Sequence, residues 1–408
     1  MPPVKVVVIG GGAAGFFAAI QCAQANPSAE VLILEKSSKL LAKVKVSGGG
    51  RCNVTHACFD LKQLSLAYPR GEKQLKSAFS RFMTNDTVNW FETHGVKLKT
   101  EEDGRMFPKT DDSQTIIDCL MKEAKKLKIE IRTETEVKSV RNNFYGGFEV
   151  MLGNGQTLEA AKVIVATGGS PKEEGLHWLK QLGHTIEEPV PSLFTFNIPD
   201  KVLHELSGIA VNPAKVKIVD SRYELNGPIL ITHWGLSGPV VLKLSAFAAR
   251  YLAEKNYEFT IKVSWLNEKK EDVARMELMN LKAANPAKQM NHLFPYILPK
   301  RLLDYLFIKA EVDPKKPWAE ISKDDINRLI QNLLYDTYTV TGKTMFKDEF
   351  VTCGGVSLDD VNFKNMESKR IKGLFFAGEV LDIDAITGGF NFQAAWTTGY
   401  IAGNAAAK

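Results

Sequence analysis

Hydrophobic and polar positions change period several times along this 408-residue chain. VKVVVIG at 4–10 is a short β-branched run closed by glycine, the pattern of a buried parallel strand. Ala13 to Ala25 has helix-forming composition, with Pro27 just past its end. EVLILE then predicts a second strand ending at Glu35, which completes a β-α-β unit. SGGGRCN at 47–53 suits neither a strand nor a helix interior. Residues 73–94 predict one helix, with Leu75, Phe79, Phe82 and Met83 at near-helical spacing and Gly95 as its stop. Alternation and an Asp-Gly turn predict a hairpin over 96–107. Asp112 or Ser113 then caps a helix with Ile116, Ile117, Leu120, Met121 and Ala124 on its apolar face.

Residues 129–161 read as short strands with turns at 142–147 and 153–155, a small antiparallel meander laid on the main sheet. KVIVATGGS at 162–170 is again a buried strand running into glycine. Pro189, Pro191 and Pro199 mark a crossing point, and sequence character changes after it. The expected organisation is an N-terminal part at 1–188, an inserted domain at 189–335 and a C-terminal part at 336–408. Within the insert, 189–243 reads as β-rich and 244–335 as mainly helical. IKGLFFAGEVLDI followed by TGGFNFQAAWTTGYIAG returns to strand, glycine turn and helix. The fold class is therefore α/β, with a Rossmann-like body built from both chain ends.

Composition narrows this little. The 52 basic and 47 acidic residues leave a net charge of +5, but they are interleaved and gather into no basic stripe with aromatics between, so a nucleic-acid partner is not expected. Five scattered Cys with no C-x-x-C pair point to reduced thiols and a cytoplasmic setting. No compact His/Cys group suggests a metal site, and no stretch qualifies as a membrane span. An uncharged run before Glu30 superficially resembles a signal peptide, but its glycines and its polar second half argue against one.

Glycine placement carries the chemistry. Gly10-x-Gly12-x-x-Gly15 follows a predicted strand and opens a predicted helix. Gly10 permits the tight turn, Gly12 lets backbone approach a pyrophosphate, and Gly15 lets helix and strand pack closely. The pyrophosphate then meets free N–H groups and the positive end of the helix dipole. Glu35 stands where a ribose hydroxyl would be read, and it would repel a 2′-phosphate. The unit's N-terminal position, the long gap before the sheet resumes and the C-terminal glycine-acid segment favour FAD over NAD. Three further loops complete the set: Ser47–Asn53, Ala166–Gly169, and the pair Gly378-Glu379 and Gly388-Gly389-Phe390-Asn391. The last precedes a helix whose N-terminus would point at the flavin carbonyls, with Asn391 as a neighbouring donor.

VVIGGGAAG at 7–15, SGGGRCNVT at 47–55, GRMFP at 104–108, ATGG at 166–169, ILITHWGLSGP at 229–239, TCGGVSL at 352–358 and GLFFAGEVLDIDAITGGFNFQAAWTTGYIAG at 373–403 occur together. In this the chain resembles the YhiN/BaiN-type, aminoacetone oxidase-like family of FAD-dependent oxidoreductases over essentially its whole length. The resemblance implies a flavoprotein fold of the two-dinucleotide-binding type, interrupted by a β-barrel-like and helical insert. It places Gly10, Gly12, Ala13, Ala14 and Gly15 at the pyrophosphate, and Glu35 with Lys36 at the adenosine ribose. Lys43, Ser47, Gly49, Gly50, Arg51, Cys52 and Asn53 fall near the ribityl and flavin region. Val137, Ala166, Thr167 and Gly168 lie on the adenine side, Gly378 and Glu379 at the pyrophosphate and ribityl chain, and Gly388, Gly389, Phe390 and Asn391 at the ring. The chain departs from the family pattern at Leu41-Ala42-Lys43, at His56, where Asn is usual, and at Ala385.

No triad is visible, which suits a reaction whose hard chemistry belongs to a flavin. Candidate substrate-side groups are Arg51, His56 and His233. His56 reads either as a proton-transfer group or as a tolerated loop residue, and His233 either as facing the flavin or as a barrel residue. Cys52 reads as a buried neutral thiol. No second G-x-G-x-x-G unit follows a strand in the insert, so NAD(P)H enters the reading as a transient electron donor. The reading is an FAD-dependent oxidoreductase of a small molecule, as monomer or homodimer. Its alternatives are an FAD-dependent amine oxidase and a flavoprotein of the tRNA-modifying type.

Overall fold

A computed structural model describes residues 4–143, 146–344 and 351–408. The chain divides into two compact units, Met1–Ser192 with Phe346–Lys408, and Leu193–Met345. Among the described residues, no helix is long and apolar enough to cross a membrane.

The first unit is built on β1 (Lys5–Ile9), α1 (Ala13–Ala25) and β2 (Glu30–Leu34). To these the chain adds β3 (Glu130–Arg132), β4 (Lys162–Val165) and β5 (Leu374–Phe376), and it ends on α2 (Phe390–Ala406). The parallel strands run in the order β5-β4-β1-β2-β3. Val6, Val7 and Val8, and Val163, Ile164 and Val165, are all fully buried, as expected of strands covered on both faces. Strand order reverses between β1 and β4, and loops at that edge leave the carboxyl ends of both. The meander is present as Val137–Asn142, Phe148–Leu152 and Thr157–Ala160, antiparallel throughout; part of its first turn lies outside the described residues.

Two local expectations fail. Glu130–Arg132, read as part of the antiparallel meander, pairs parallel with β2 in the main sheet, and the meander begins only at Val137. The run 73–94 forms two helices, Glu72–Phe79 and Thr84–Thr93. The carboxylate of Asp86 accepts from the Met83 backbone N at 2.8 Å and starts a new helix there. The hydroxyl of Thr397, in α2, donates to the Phe82 carbonyl at 2.9 Å, so a tertiary donor satisfies the break. Helical spacing persists across the interruption, which is why the side-chain pattern conceals it.

The second unit holds a seven-stranded sheet and five of its own helices among the described residues, Pro239–Phe247, Ala249–Glu254, Glu271–Ala284, Lys300–Lys309 and Lys323–Leu334, besides the short Lys201–Glu205. The outermost strands, Asp336–Val340 and Gly342–Thr344, are separated only by Thr341. One continuous segment thus pairs with Phe259–Ser264 at one end and Thr195–Asn197 at the other, curling the sheet towards a barrel.

In the first unit, α2 lies against α1 with almost nothing between their backbones. A Cβ added at Gly399 would stand 2.8 Å from the Ala14 carbonyl oxygen, and one at Gly403 would stand 2.2 Å from that of Ala18. Gly403→Val is expected to cost about 1–3 kcal/mol through overpacking, read as a lowered thermal midpoint. A wild-type midpoint would show that the helices do not need this close approach.

Candidate functional site

The turn after β1 combines glycines that packing demands with one that it does not. At Gly10 (φ +114°) a Cβ would meet the Ala166 carbonyl oxygen at 2.3 Å, and at Gly15 it would meet that of Gly10 at 1.9 Å. At Gly12 it would meet nothing within 4 Å. Gly12 caps α1, whose first turn holds no acidic residue and no side-chain cap, so its leading N–H groups are available to an anion. Ala13 and Ala14 begin that helix, and Ala14 lies under Gly378, where a Cβ would come within 2.7 Å of its own. At the end of β2, Glu35 Oε2 accepts from the Gly11 N at 2.8 Å, and its Oε1 accepts from the Ser37 N at 2.9 Å. The carboxylate therefore stands beside the glycine turn, while Lys36 points into solvent.

The 47–53 loop departs from helical geometry at Ser47 and then runs through three glycines at φ +59°, +70° and +85°. A Cβ at Gly48 would strike the Phe107 ring at 2.8 Å, whereas those at Gly49 and Gly50 would meet open space. Ser47 Oγ donates to the Val44 carbonyl at 3.1 Å. Arg51 is held by its neighbours, with its Nε donating to the Gly48 carbonyl at 3.4 Å. Its Nη1 lies 2.6 Å from Glu101 and 3.5 Å from Asp111, and its guanidinium covers the Phe107 ring at 4.0 Å. The Glu101 hydrogen bond raises the Arg51 pKa further and fastens the loop to the hairpin of Leu98–Thr100 and Arg105–Pro108. Cys52 is buried, and burial pushes its thiol up to about 12, so it is neutral and unreactive at physiological pH. Asn53 reaches the start of α2: its Oδ1 accepts from the Gly389 N at 2.9 Å and its Nδ2 donates to the Thr55 carbonyl at 3.0 Å, the orientation its neighbours dictate.

Three more segments close around these two. Ala166 is buried at the end of β4, Thr167 is exposed, and Gly168 (φ +75°) faces open space. Gly378 N donates to Thr398 Oγ1 at 2.8 Å, and Glu379 meets Lys43 Nζ at 2.6 Å, joining the loop after β5 to the segment before Ser47. Glu379 also accepts from the Thr352 N at 3.1 Å and packs against Gly169. Gly388 and Gly389 lead into α2 at φ +126° and +92°. The Asn391 amide brackets Ala385, accepting from its N at 2.9 Å and donating to its O at 3.3 Å, so it braces the loop. Val137 is half-buried at the start of the meander. His56, on the strand Thr55–His56, lies with Nδ1 3.0 Å from the Gly388 carbonyl and stacks on Phe390 at 4.5 Å. His233 is exposed in the turn between Glu224–Thr232 and Gly235–Ser237 of the second unit.

Arg70 and Asp384 escaped the sequence reading. Asp384 is wholly buried, and its carboxylate is paired with the Arg70 guanidinium just ahead of the Gly388 loop. Burial pushes the Asp384 carboxyl up to about 6, so at neutral pH it is ionised against Arg70. A carboxylate inside the apolar run before the last helix is itself a signal that a basic partner exists. Nothing local identifies Arg70 as that partner.

The comparisons agree on a family. A family model described as HI0933-like protein Rossmann domain matches residues 4–405. The chain is 28% identical over 413 residues to the 3-dehydro-bile acid delta(4,6)-reductase of Clostridium scindens, covering 99% of each chain. It is 30% identical over 407 residues to the ribosomal RNA dihydrouridine synthase of Haemophilus influenzae, covering 97% of this chain and 96% of that one. Among solved structures it resembles 3-ketosteroid-delta4-(5alpha)-dehydrogenase from Rhodococcus jostii RHA1, with a TM-score of 0.54, 14% identity and coverage of 99% and 97%, a likeness of fold.

The contrast between Gly10 and Gly12 separates ligand space from packing space. Gly12→Val is expected to purify without FAD while keeping the thermal midpoint of the wild-type apoprotein. Gly10→Val is expected to lower that midpoint as well. FAD retained at wild-type occupancy in Gly12→Val would remove that glycine from the site.

Proposed function

The chain belongs to the HI0933-like Rossmann family and is an FAD-dependent oxidoreductase, and on that premise we propose that it saturates a carbon–carbon double bond conjugated to a carbonyl in a small molecule. NAD(P)H, docking transiently, is the electron source in this reading. One observation carries it. Relatives that span nearly the whole chain are named for unlike substrates, a 3-dehydro-bile acid and ribosomal RNA, yet both kinds of name describe saturation of a ring double bond.

Bound FAD supplies the hydride chemistry. The chain's own part is to hold, orient and move one proton. The uncapped start of α1 and the bare surface at Gly12 suit a pyrophosphate, and Glu35 suits a ribose hydroxyl. Gly49, Gly50 and Gly168 give flat, side-chain-free surface to the rest of an extended dinucleotide. His56 handles the proton. With Nδ1–H donating to the Gly388 carbonyl, Nε2 is the atom that takes a proton from water and passes it to the carbon beside the carbonyl. Gly104 places no side chain over that atom, since a Cβ there would stand 2.5 Å from Nε2. A cytoplasmic setting is supported by five scattered cysteines with no C-x-x-C pair among them.

The relative that is 30% identical favours a second substrate, a uracil ring within RNA. Anaerobic flavin spectroscopy separates the readings. NADH or NADPH is expected to bleach the bound flavin, and a 4-en-3-one steroid to restore its colour without oxygen. Restoration by ribosomal RNA alone would favour the second substrate, and bleaching by simple amines would overturn the reductase for an amine oxidase. In the same assay His56→Gln is expected to slow restoration by about 10²-fold or more and to leave bleaching unchanged. Equal slowing of both steps would remove His56 from the proton path.

A further inference from the structure

Asp384 has no exposed side-chain surface and Arg70 has 11%. Arg70 Nε donates to Asp384 Oδ1 at 2.5 Å, its Nη2 donates to Oδ2, and the Ser192 hydroxyl donates to Oδ2 at 2.6 Å. Such a pair is a poor source of stability, because removing both charges from water offsets most of their attraction, and apolar replacements are often as stable. Its effect is to fix position.

The residues around Arg70 hold the same loop at further points. Ala67 O accepts from the Ile386 N at 2.9 Å, and the buried Tyr68 hydroxyl donates to the Phe390 carbonyl at 2.7 Å. Segment 67–70 therefore grips 384–390 at three successive places, and Gly389, gripped in between, is the N-cap of α2. The gripped loop also carries Gly388, whose carbonyl orients His56. The buried ion pair is thus one of the anchors that position the mouth of α2.

We propose that Arg70 and Asp384 are positioning residues that set the N-terminus of α2, and His56 with it, against the cofactor's ring. The proposal rests on the reading that Gly388–Asn391 face that ring. The field of a helix terminus falls off within one turn, so a small displacement of the loop changes what a ligand there experiences. A merely structural pair would act on folding alone.

The test uses full-length protein with Asp384→Asn and with the apolar double variant Arg70→Met/Asp384→Leu. Three quantities are read: the FAD dissociation constant, the visible absorption band of the bound flavin, and the thermal midpoint of the apoprotein. Asp384→Asn is expected to weaken FAD binding about tenfold, which is about 1.4 kcal/mol, and to shift the band. The double variant is expected to regain the wild-type apoprotein midpoint while affinity and band stay altered. Wild-type affinity and band in Asp384→Asn would overturn the proposal. So would full recovery in the double variant, or its failure to fold, since either marks the pair as structural. If the wild-type protein itself bound no FAD, the cofactor reading would fall first and this proposal with it.

Discussion

The first unit depends on a seam where two helices meet with backbone against backbone. Gly399 and Gly403 remove the side chains that would hold α2 away from Ala14 and Ala18. Asn26 Nδ2 then donates to the Ala407 carbonyl at 3.0 Å, tying the far ends of both helices. The pairs 14 with 399 and 18 with 403 rise together, so the helices run parallel. At 1.5 Å per residue, eight residues of offset place the start of α2 roughly 12 Å beyond the start of α1. Two helix N-termini therefore point the same way, one set beyond the other. A seam of small residues sets that stagger.

Much of this body is legible in the sequence because its signals are local. β1, α1 and β2 declare themselves through period, glycine and a terminal carboxylate, all within the residues 5–35. The glycine clusters are equally visible, but their meanings are not. Gly10, Gly15, Gly48 and Gly389 are required by protein atoms lying under 3 Å from a would-be Cβ, whereas Gly12, Gly49, Gly50 and Gly168 have nothing there. The two kinds look identical in a string of letters, because the difference lies in neighbours that the fold supplies, such as Ala166 at Gly10 and Thr55 at Gly389. The break at Phe82 was hidden for the same reason: its satisfying donor is Thr397.

Charge shows the limit of local reading most clearly. Arg51, beside three glycines, reads as a contact for something anionic, yet Glu101 and Asp111 on the neighbouring hairpin occupy it. Lys43 is likewise held by Glu379. Both partners sit far off in sequence. Conversely, the pair that matters to the α2 loop was missed because Arg70 follows Pro69 in a segment with no motif and Asp384 sits inside an apolar run.

These pairings bear on how the site can recognise an anion. With Arg51 and Lys43 committed to carboxylates, negative charge at the first turn would be met by the N–H groups of α1 and the end of its dipole. Backbone donors do not swing, lose no rotamer freedom and are aimed by the fold itself. Precision there is inherited from whatever fixes the helix: Gly15 against Gly10 for α1, and Gly399 and Gly403 against α1 for α2. The same logic explains why a costly buried ion pair suits the α2 entry. Gly388 and Gly389 have no side chains to brace them, so the bracing comes from their neighbours, through Asp384 to Arg70, through Tyr68 and through Asn391. Bare surface for a ligand and rigid position are opposing demands on one stretch of chain, and this fold meets them by assigning each to different residues.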